Sequence, residues 1–108
     1  MRKGAVYIQK KRCGTIEQDD SSFRFYYSKE WLSDENAQAV SLTLPLTDEV
    51  YESNILFPFF DGLIPEGYLL EVALRHYGMR ANDRMGLLLK TCKDCIGDVS
   101  VEEVGENE

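Results

Sequence analysis

The sequence is poor in the groups from which most catalytic and metal centres are built. It has one histidine, His76, and three cysteines, Cys13, Cys92 and Cys95. A structural zinc site usually takes a full tetrahedral set of nitrogen and sulfur ligands. Beside Cys92-Lys93-Asp94-Cys95 only Cys13 and His76 remain as such donors, and neither belongs to a paired motif. No GxGxxG or GxxxxGK[ST] pattern occurs, nor a His-Arg-Asp loop or an Asp-Phe-Gly triplet. The chain therefore lacks the backbone cradle and metal-holding carboxylates that ATP phosphates need, and it is not expected to be an enzyme. No apolar run reaches the roughly 18 residues of a transmembrane span. Met1 to Arg12 carries basic residues without an apolar core segment and does not read as a signal peptide. An odd cysteine count without an export signal places the protein in a reducing cytoplasm. Positive charge is scarce as well. Twelve Lys and Arg face nineteen Asp and Glu, for a net charge of -7 and an isoelectric point near 4.7. Residues 1–54 hold seven basic and nine acidic side chains, and residues 55–108 hold five and ten. Such a surface repels phosphate backbones, so no direct nucleic-acid binding is expected. The one basic run, Lys10-Lys11-Arg12, reads as a solvated turn.

What is present is enough for one ordinary core. The chain has 108 residues, 44% of them hydrophobic and 29% charged, which fits one globular domain. Residues 3–17 read as a β unit, with Val6 and Ile8 on one face and a hairpin turning near Lys10-Lys11. Asp19-Asp20-Ser21-Ser22 is a turn cluster. Phe23 to Tyr27 follows as an aromatic strand with Phe23, Phe25 and Tyr27 aligned. Ser28 to Gln38 reads as irregular or as a short helical turn anchored by Trp31 and Leu32. Ala39 to Leu44 reads as a fourth strand, with Val40, Leu42 and Leu44 on one face and Pro45 ending it. Thr47 to Glu52 is polar. Ile55 to Phe60 reads as a short helix with Pro58 in its first turn, ended by Asp61-Gly62. Residues 68–77 form a helix by the recurrence of Leu69, Val72, Ala73 and Tyr77, with Gly78 as C-cap. Asn82 or Asp83 caps a further helix carrying Met85, Leu88 and Leu89. Val99, Val101 and Val104 mark a closing strand before an acidic tail, Gly105 to Glu108. Strands, then helices, then a strand predict an α+β fold, a small antiparallel sheet or half-barrel packed against short helices.

The candidate sites each have a plain reading. Cys92-x-x-Cys95 follows Leu87-Leu88-Leu89-Lys90 and so falls at a helix C-terminus, where the dipole disfavours a thiolate. Ordinary cysteines at a helix-to-strand corner account for it, with a metal- or thiol-dependent protein as the alternative. His76 lies in the last turn of its helix, where a cation gains from the dipole without any catalytic role. Asp61 and Glu66 flank the Gly62–Pro65 loop. They resemble a carboxylate pair, but Asp61 could bond turn donors and Glu66 could sit at a helix start. The strongest signal is apolar density. Residues 55–70 hold ten large apolar side chains: Ile55, Leu56, Phe57, Phe59, Phe60, Leu63, Ile64, Tyr68, Leu69 and Leu70. Sixteen consecutive residues cannot easily hide all ten on one side. Either the segment simply caps the open end of the sheet as core, or some of these side chains also face a partner, for which rigid aromatics beside Pro and Gly make good anchors.

These residues resemble a known family. Phe59-Phe60-Asp61-Gly62-Leu63-Ile64-Pro65-Glu66-Gly67 resembles the Phe-Phe-(Asp/Glu)-(Gly/Asn)-Leu-(Leu/Ile)-Pro-Glu stretch in the N-terminal subdomain of HipA-type kinases. Asp94-Cys95-Ile96-Gly97-Asp98-Val99 resembles the turn that closes that subdomain, with Asp98 where alanine is common and Cys92 where glycine is common. Ser41-Leu42-Thr43-Leu44-Pro45-Leu46 resembles the family's strand end. The resemblance covers nearly the whole chain. Fused kinases continue into a catalytic region, whereas this sequence stops soon after the closing turn, as in the HipS small subunits of HipBST toxin–antitoxin systems. The resemblance implies a single module over residues 1–108 that serves as antitoxin. Its partner would be a separate HipT-like serine/threonine kinase that acts on an aminoacyl-tRNA synthetase, with a HipB-like DNA-binding protein as a third member. It implies no cofactor and no membrane contact. The partner-binding residues would be Asp61, Leu63, Ile64, Pro65, Glu66, Gly67, Tyr68 and Glu71, with Phe59, Phe60 and Gly62 supporting the loop. A subunit that positions the kinase or its substrate without inhibiting it is the alternative.

Overall fold

The computed structural model describes residues 1–93 and 98–105. The expected closing turn over 94–97 and most of the acidic tail lie outside the described residues. Among the described residues five antiparallel strands form one open sheet in the order β4-β3-β2-β1-β5. They are β1 (Arg2–Ile8), β2 (Lys11–Gln18), β3 (Phe23–Tyr27), β4 (Tyr51–Ser53) and β5 (Val99–Val104). Among the described residues four short helices complete the fold: α1 (Lys29–Leu32), α2 (Pro58–Asp61), α3 (Gly67–Tyr77) and α4 (Arg84–Thr91). The α+β architecture expected from the sequence is therefore the observed one.

The β1–β2 hairpin turns at Gln9 and Lys10, one residue earlier than the composition indicates. Both residues have positive φ, 50° and 69°. A two-residue turn of that kind matches the strand twist but is normally filled by Asn-Gly or Gly. Here neighbouring pairing imposes it on side chains that disfavour it by roughly 1–2 kcal/mol each. Val6 pairs with Gly14 and Tyr7 with Arg12, which leaves Cys13 as an extra, bulged residue on β2. The bulge re-aims the strand. Arg12 stays exposed, while Cys13 joins Val6, Ile16, Phe25 and Val101 in the core.

The core lies between the inner face of the sheet and the helices α2 and α4. Phe60 from α2 and Met85, Leu87, Leu88 and Leu89 from α4 fill it. α4 approaches the sheet closely at Gly4, where a Cβ would stand 2.7 Å from Leu89 Cδ2 and 2.8 Å from Val101 Cγ1. Glycine is needed there for space. On the outer face the buried Glu17 carboxylate accepts from the Tyr26 hydroxyl at 2.6 Å and faces Arg24 at 3.4 Å and Lys3 at 3.8 Å. That cluster is internally satisfied and holds β1, β2 and β3 in register.

Two expectations are corrected. Ala39 to Leu44 is not a strand. Val40 and Leu44 are buried as the alternation indicates, but Leu42 is wholly exposed and Ser41 and Leu44 are joined in a tight bridge. The chain turns there because the Leu44 N–H donates to the Ser41 carbonyl at 3.1 Å. The strand that completes the sheet is β4, which begins within the stretch read only as polar and runs one residue past it. Its Tyr51 stacks on Phe25 at 6.5 Å between ring centroids.

Asp83 caps α4, accepting from the Gly86 N–H at 3.2 Å, and also accepts from Arg2 of β1 at 2.8 Å. The Arg2 guanidinium holds the Asp83 carboxyl below the usual carboxylate range, the Gly86 N–H adds to this, and burial opposes both. A depressed folded-state pKa makes the contribution full above the unfolded carboxylate pKa of about 4 and lost as pH falls through the folded value. Asp83→Ala is expected to cost about 1 kcal/mol at neutral pH, the usual loss of a cap. Thermal melts from pH 7 downward should show the wild-type advantage shrinking toward zero in acid. A constant difference at all pH values would refute the assignment.

Candidate functional site

The bend after α2 is built outward from Phe60. Phe60 is fully buried, with its ring 5.3 Å from that of Phe25, 5.2 Å from Phe59 and 6.3 Å from Phe57. Pro58 opens the helix and Gly62 closes it, its N–H donating to the Pro58 carbonyl at 2.9 Å. The Leu63 and Ile64 N–H groups then donate back to Phe60 and Asp61, so the bend winds tightly. Ile64 is 2% exposed and serves the core. Leu63 is half-buried, and its carbonyl faces Cys92 Sγ at 3.4 Å. The Arg84 Nε donates to Asp61 at 2.6 Å, which ties the bend to α4. The Asp61 side chain thus bonds a guanidinium, where the sequence left open a carboxylate pair or turn donors. Glu66 is the N-cap residue of α3, in line with its position in the sequence, and is exposed.

The chain enters α3 through Gly67, whose φ of +59° is left-handed, and no atom lies within 4 Å of where a Cβ would stand. The requirement for glycine is in the backbone, since space is open. Past this point the side chains turn to solvent. Tyr68 is 75% exposed, Leu69 66%, Val72 45% and Tyr77 44%, and Glu71 is exposed beside them. Ala73 is buried, and Leu70 and Leu74 pack against the core. α3 therefore has a wide apolar face, part of it packed on the core and part in solvent, opposite a polar edge of Glu71 and Arg75. A groove of about 460 Å³ runs beside it, its lining mixed: Pro65, Leu69, Val72, Ala73 and Tyr77 on one hand, and His76, Lys90, Thr91 and Lys93 on the other.

The residues expected to bind a partner are thus contiguous in space, but they divide by burial. Glu66, Gly67, Tyr68 and Glu71 are exposed, Asp61, Leu63 and Pro65 are half-buried, and Ile64 is interior. Val72 and Tyr77, which the spacing marks only as helix-forming, widen the exposed face, and Leu69, one of the ten apolar residues of 55–70, joins them. Their signal is present in the sequence: the apolar face of this eleven-residue helix is wider than one contact with a small core can cover.

Of the remaining chemical candidates, His76 lines the same groove and Cys92 abuts the bend, while Cys13 lies in the core. Cys92 is buried at the C-terminal end of α4, the position expected for it, and Cys95 lies outside the described residues. Burial pushes the Cys13 thiol up to about 12, so it is protonated and inert at neutral pH. His76 stands in the last turn of α3, its ring edge-on to Tyr77 at 4.7 Å. Among the described residues no group of three or more His, Cys, Asp or Glu side chains could hold a metal ion, and no helix is long and apolar enough to cross a membrane.

Comparison with known proteins gives a consistent picture. Residues 4–102 match the family model described as the HipA N-terminal domain. An uncharacterized protein of Haemophilus influenzae is 27% identical over 103 residues, which span 95% of this chain and 93% of that one. Y4mE of Sinorhizobium fredii, a protein assigned as a kinase, is 34% identical over 73 residues, 68% of this chain but 17% of the longer one. The solved N-terminal domain of HipA toxin superposes with a TM-score of 0.72 at 25% identity, covering 98% of this chain and 95% of that domain.

Proposed function

The chain belongs to the HipA N-terminal domain family, and from that premise we propose that it is a HipS-like antitoxin that binds a separate HipT-type serine/threonine kinase and neutralises it. The observation that carries this reading is the exposed apolar face of α3, presented beside a bend fixed by Phe60 and Asp61. Exposed apolar surface of that kind marks a protein contact. Tyr68 would overhang or enter the kinase cleft, and Leu69, Val72 and Pro65 would pack around its mouth. Glu66 and Glu71 would meet basic groups of the kinase, steering approach more than adding affinity. A specific complex should bury at least ~1,000 Å² in total. The chain would work in the cytoplasm as one non-catalytic module, with a HipB-like DNA-binding protein in the same assembly. The longer Y4mE, of which this chain matches 17%, supports its association with a kinase-type chain.

The test is direct. Phosphorylation of the aminoacyl-tRNA synthetase by purified kinase is measured with and without this chain at a molar excess. Loss of phosphorylation is the expected result. Unchanged or faster phosphorylation in a stable complex would overturn inhibition and leave a subunit that positions the kinase or its substrate.

A further inference from the structure

Leu42 is 100% exposed, yet the turn that carries it is held firmly from within. The buried Tyr27 hydroxyl accepts from the Val40 N–H at 3.0 Å and donates to the Leu44 carbonyl, so one phenol pins both flanks of the turn. The Thr43 N–H donates to Ser41 Oγ at 3.2 Å, and the Tyr51 hydroxyl donates to the Pro45 carbonyl at 2.6 Å. A lone exposed leucine on a loose loop would mean little. Here the backbone is ordered before any partner arrives, so docking the side chain loses little further freedom.

The charge pattern indicates what receives it. In a chain with 29% charged residues, the twelve residues from Asn36 to Thr47 carry no charge, and Asp34-Glu35 and Asp48-Glu49 flank them on either side. These carboxylates bracket the turn along the chain, and the complement of an uncharged apolar knob with acidic flanks is an apolar pocket with lysine or arginine near it.

We propose that Leu42 is a second anchor, inserting into an apolar pocket with a cationic rim on the partner kinase. It lies on a different element from the α3 face. The proposal rests on the kinase-binding reading above and adds a contact that neither α3 nor the Asp61–Gly67 bend supplies. Two contacts on one rigid module would fix the orientation of the kinase as well as hold it.

The experiment uses the full chain and purified kinase. Dissociation constants are measured for wild type, Leu42→Asp and Tyr68→Ala at low and physiological salt, alongside melting temperatures. Leu42→Asp is expected to leave the melting temperature unchanged and weaken binding about 10- to 100-fold, the value of one buried leucine. Asp48→Lys with Glu49→Lys is expected to slow association, most at low salt. If Tyr68→Ala weakens binding while Leu42→Asp matches wild type within about twofold, the second anchor is refuted and the kinase-binding reading stands. If wild type fails to bind the kinase, both fall together.

Discussion

Tyr68→Asp combined with Leu69→Asp is expected to abolish protection against the kinase while leaving the fold intact. Both side chains are more than 60% exposed, so the isolated protein loses little apolar burial when they change. They sit in the first turn of α3, where aspartate gains from the unpaired N–H groups of the helix start. The melting temperature should therefore stay close to wild type, as for most surface substitutions, which fall within about 0.5 kcal/mol. The complex responds differently. Large aromatic and aliphatic anchors at the centre of an interface are worth about 2–4 kcal/mol each, and a carboxylate in their place is buried without a partner. The combined loss should exceed about 100-fold in the dissociation constant. Calorimetric titration of the kinase with the variant, paired with a thermal melt of the variant alone, measures both quantities. A folded variant with wild-type affinity would mean that α3 faces solvent in the complex, and the proposed docking surface would be wrong.

The elements legible in the sequence are those whose signal is local. The Phe23–Tyr27 strand declares itself by aromatic alternation, α4 by Asp83 ahead of Met85 and Leu88, and α3 by its spacing and by Gly78 behind it. The two corrections fall where the deciding contact is distant in the chain. Val40-Ser41-Leu42-Thr43-Leu44 alternates as a strand would, and alternation alone cannot distinguish a pleat from a turn that buries its two ends. The Tyr27 hydroxyl, thirteen and seventeen residues away, makes it a turn. In the same way β4 is only three residues long, lies at the sheet edge and is held by Tyr51 against Phe25, a contact invisible in a polar stretch. At the candidate site, the Phe59–Gly67 motif locates the bend because its parts are consecutive. It cannot divide Ile64, which faces inward, from Tyr68, which faces outward. That division depends on the left-handed step at Gly67 and on where α4 lies. The breadth of the docking face is hidden for a related reason. Helical spacing shows that residues share a side, but whether a neighbour covers that side is a property of the whole fold.

Phe60→Ala should have the largest effect on stability, and by a route opposite to that of Tyr68. Phe60 has no exposed surface and touches the rings of Phe25, Phe57 and Phe59. Truncating a buried phenylalanine costs about 3–5 kcal/mol, through lost burial and the cavity left behind. A domain of this size has about 5–15 kcal/mol in all, so a large part of its stability would go. At about 4–8 °C per kcal/mol, the melting temperature should fall by more than about 10 °C. The consequences are not confined to global stability. Phe60 also accepts the Leu63 N–H through its carbonyl and fixes the start of the bend, so a repacked core would loosen Asp61 to Gly67 before the sheet opens. Binding should then weaken even at temperatures where the variant is folded, because the loop must be ordered at the moment of docking. Phe60→Leu separates the two terms. It fills most of the volume, should cost far less, and should recover most of the affinity along with the melting temperature. Should Phe60→Ala melt within a few degrees of wild type in a denaturation scan, the ring would not be the keystone between sheet and bend. The rigid presentation of Tyr68 would then need another source.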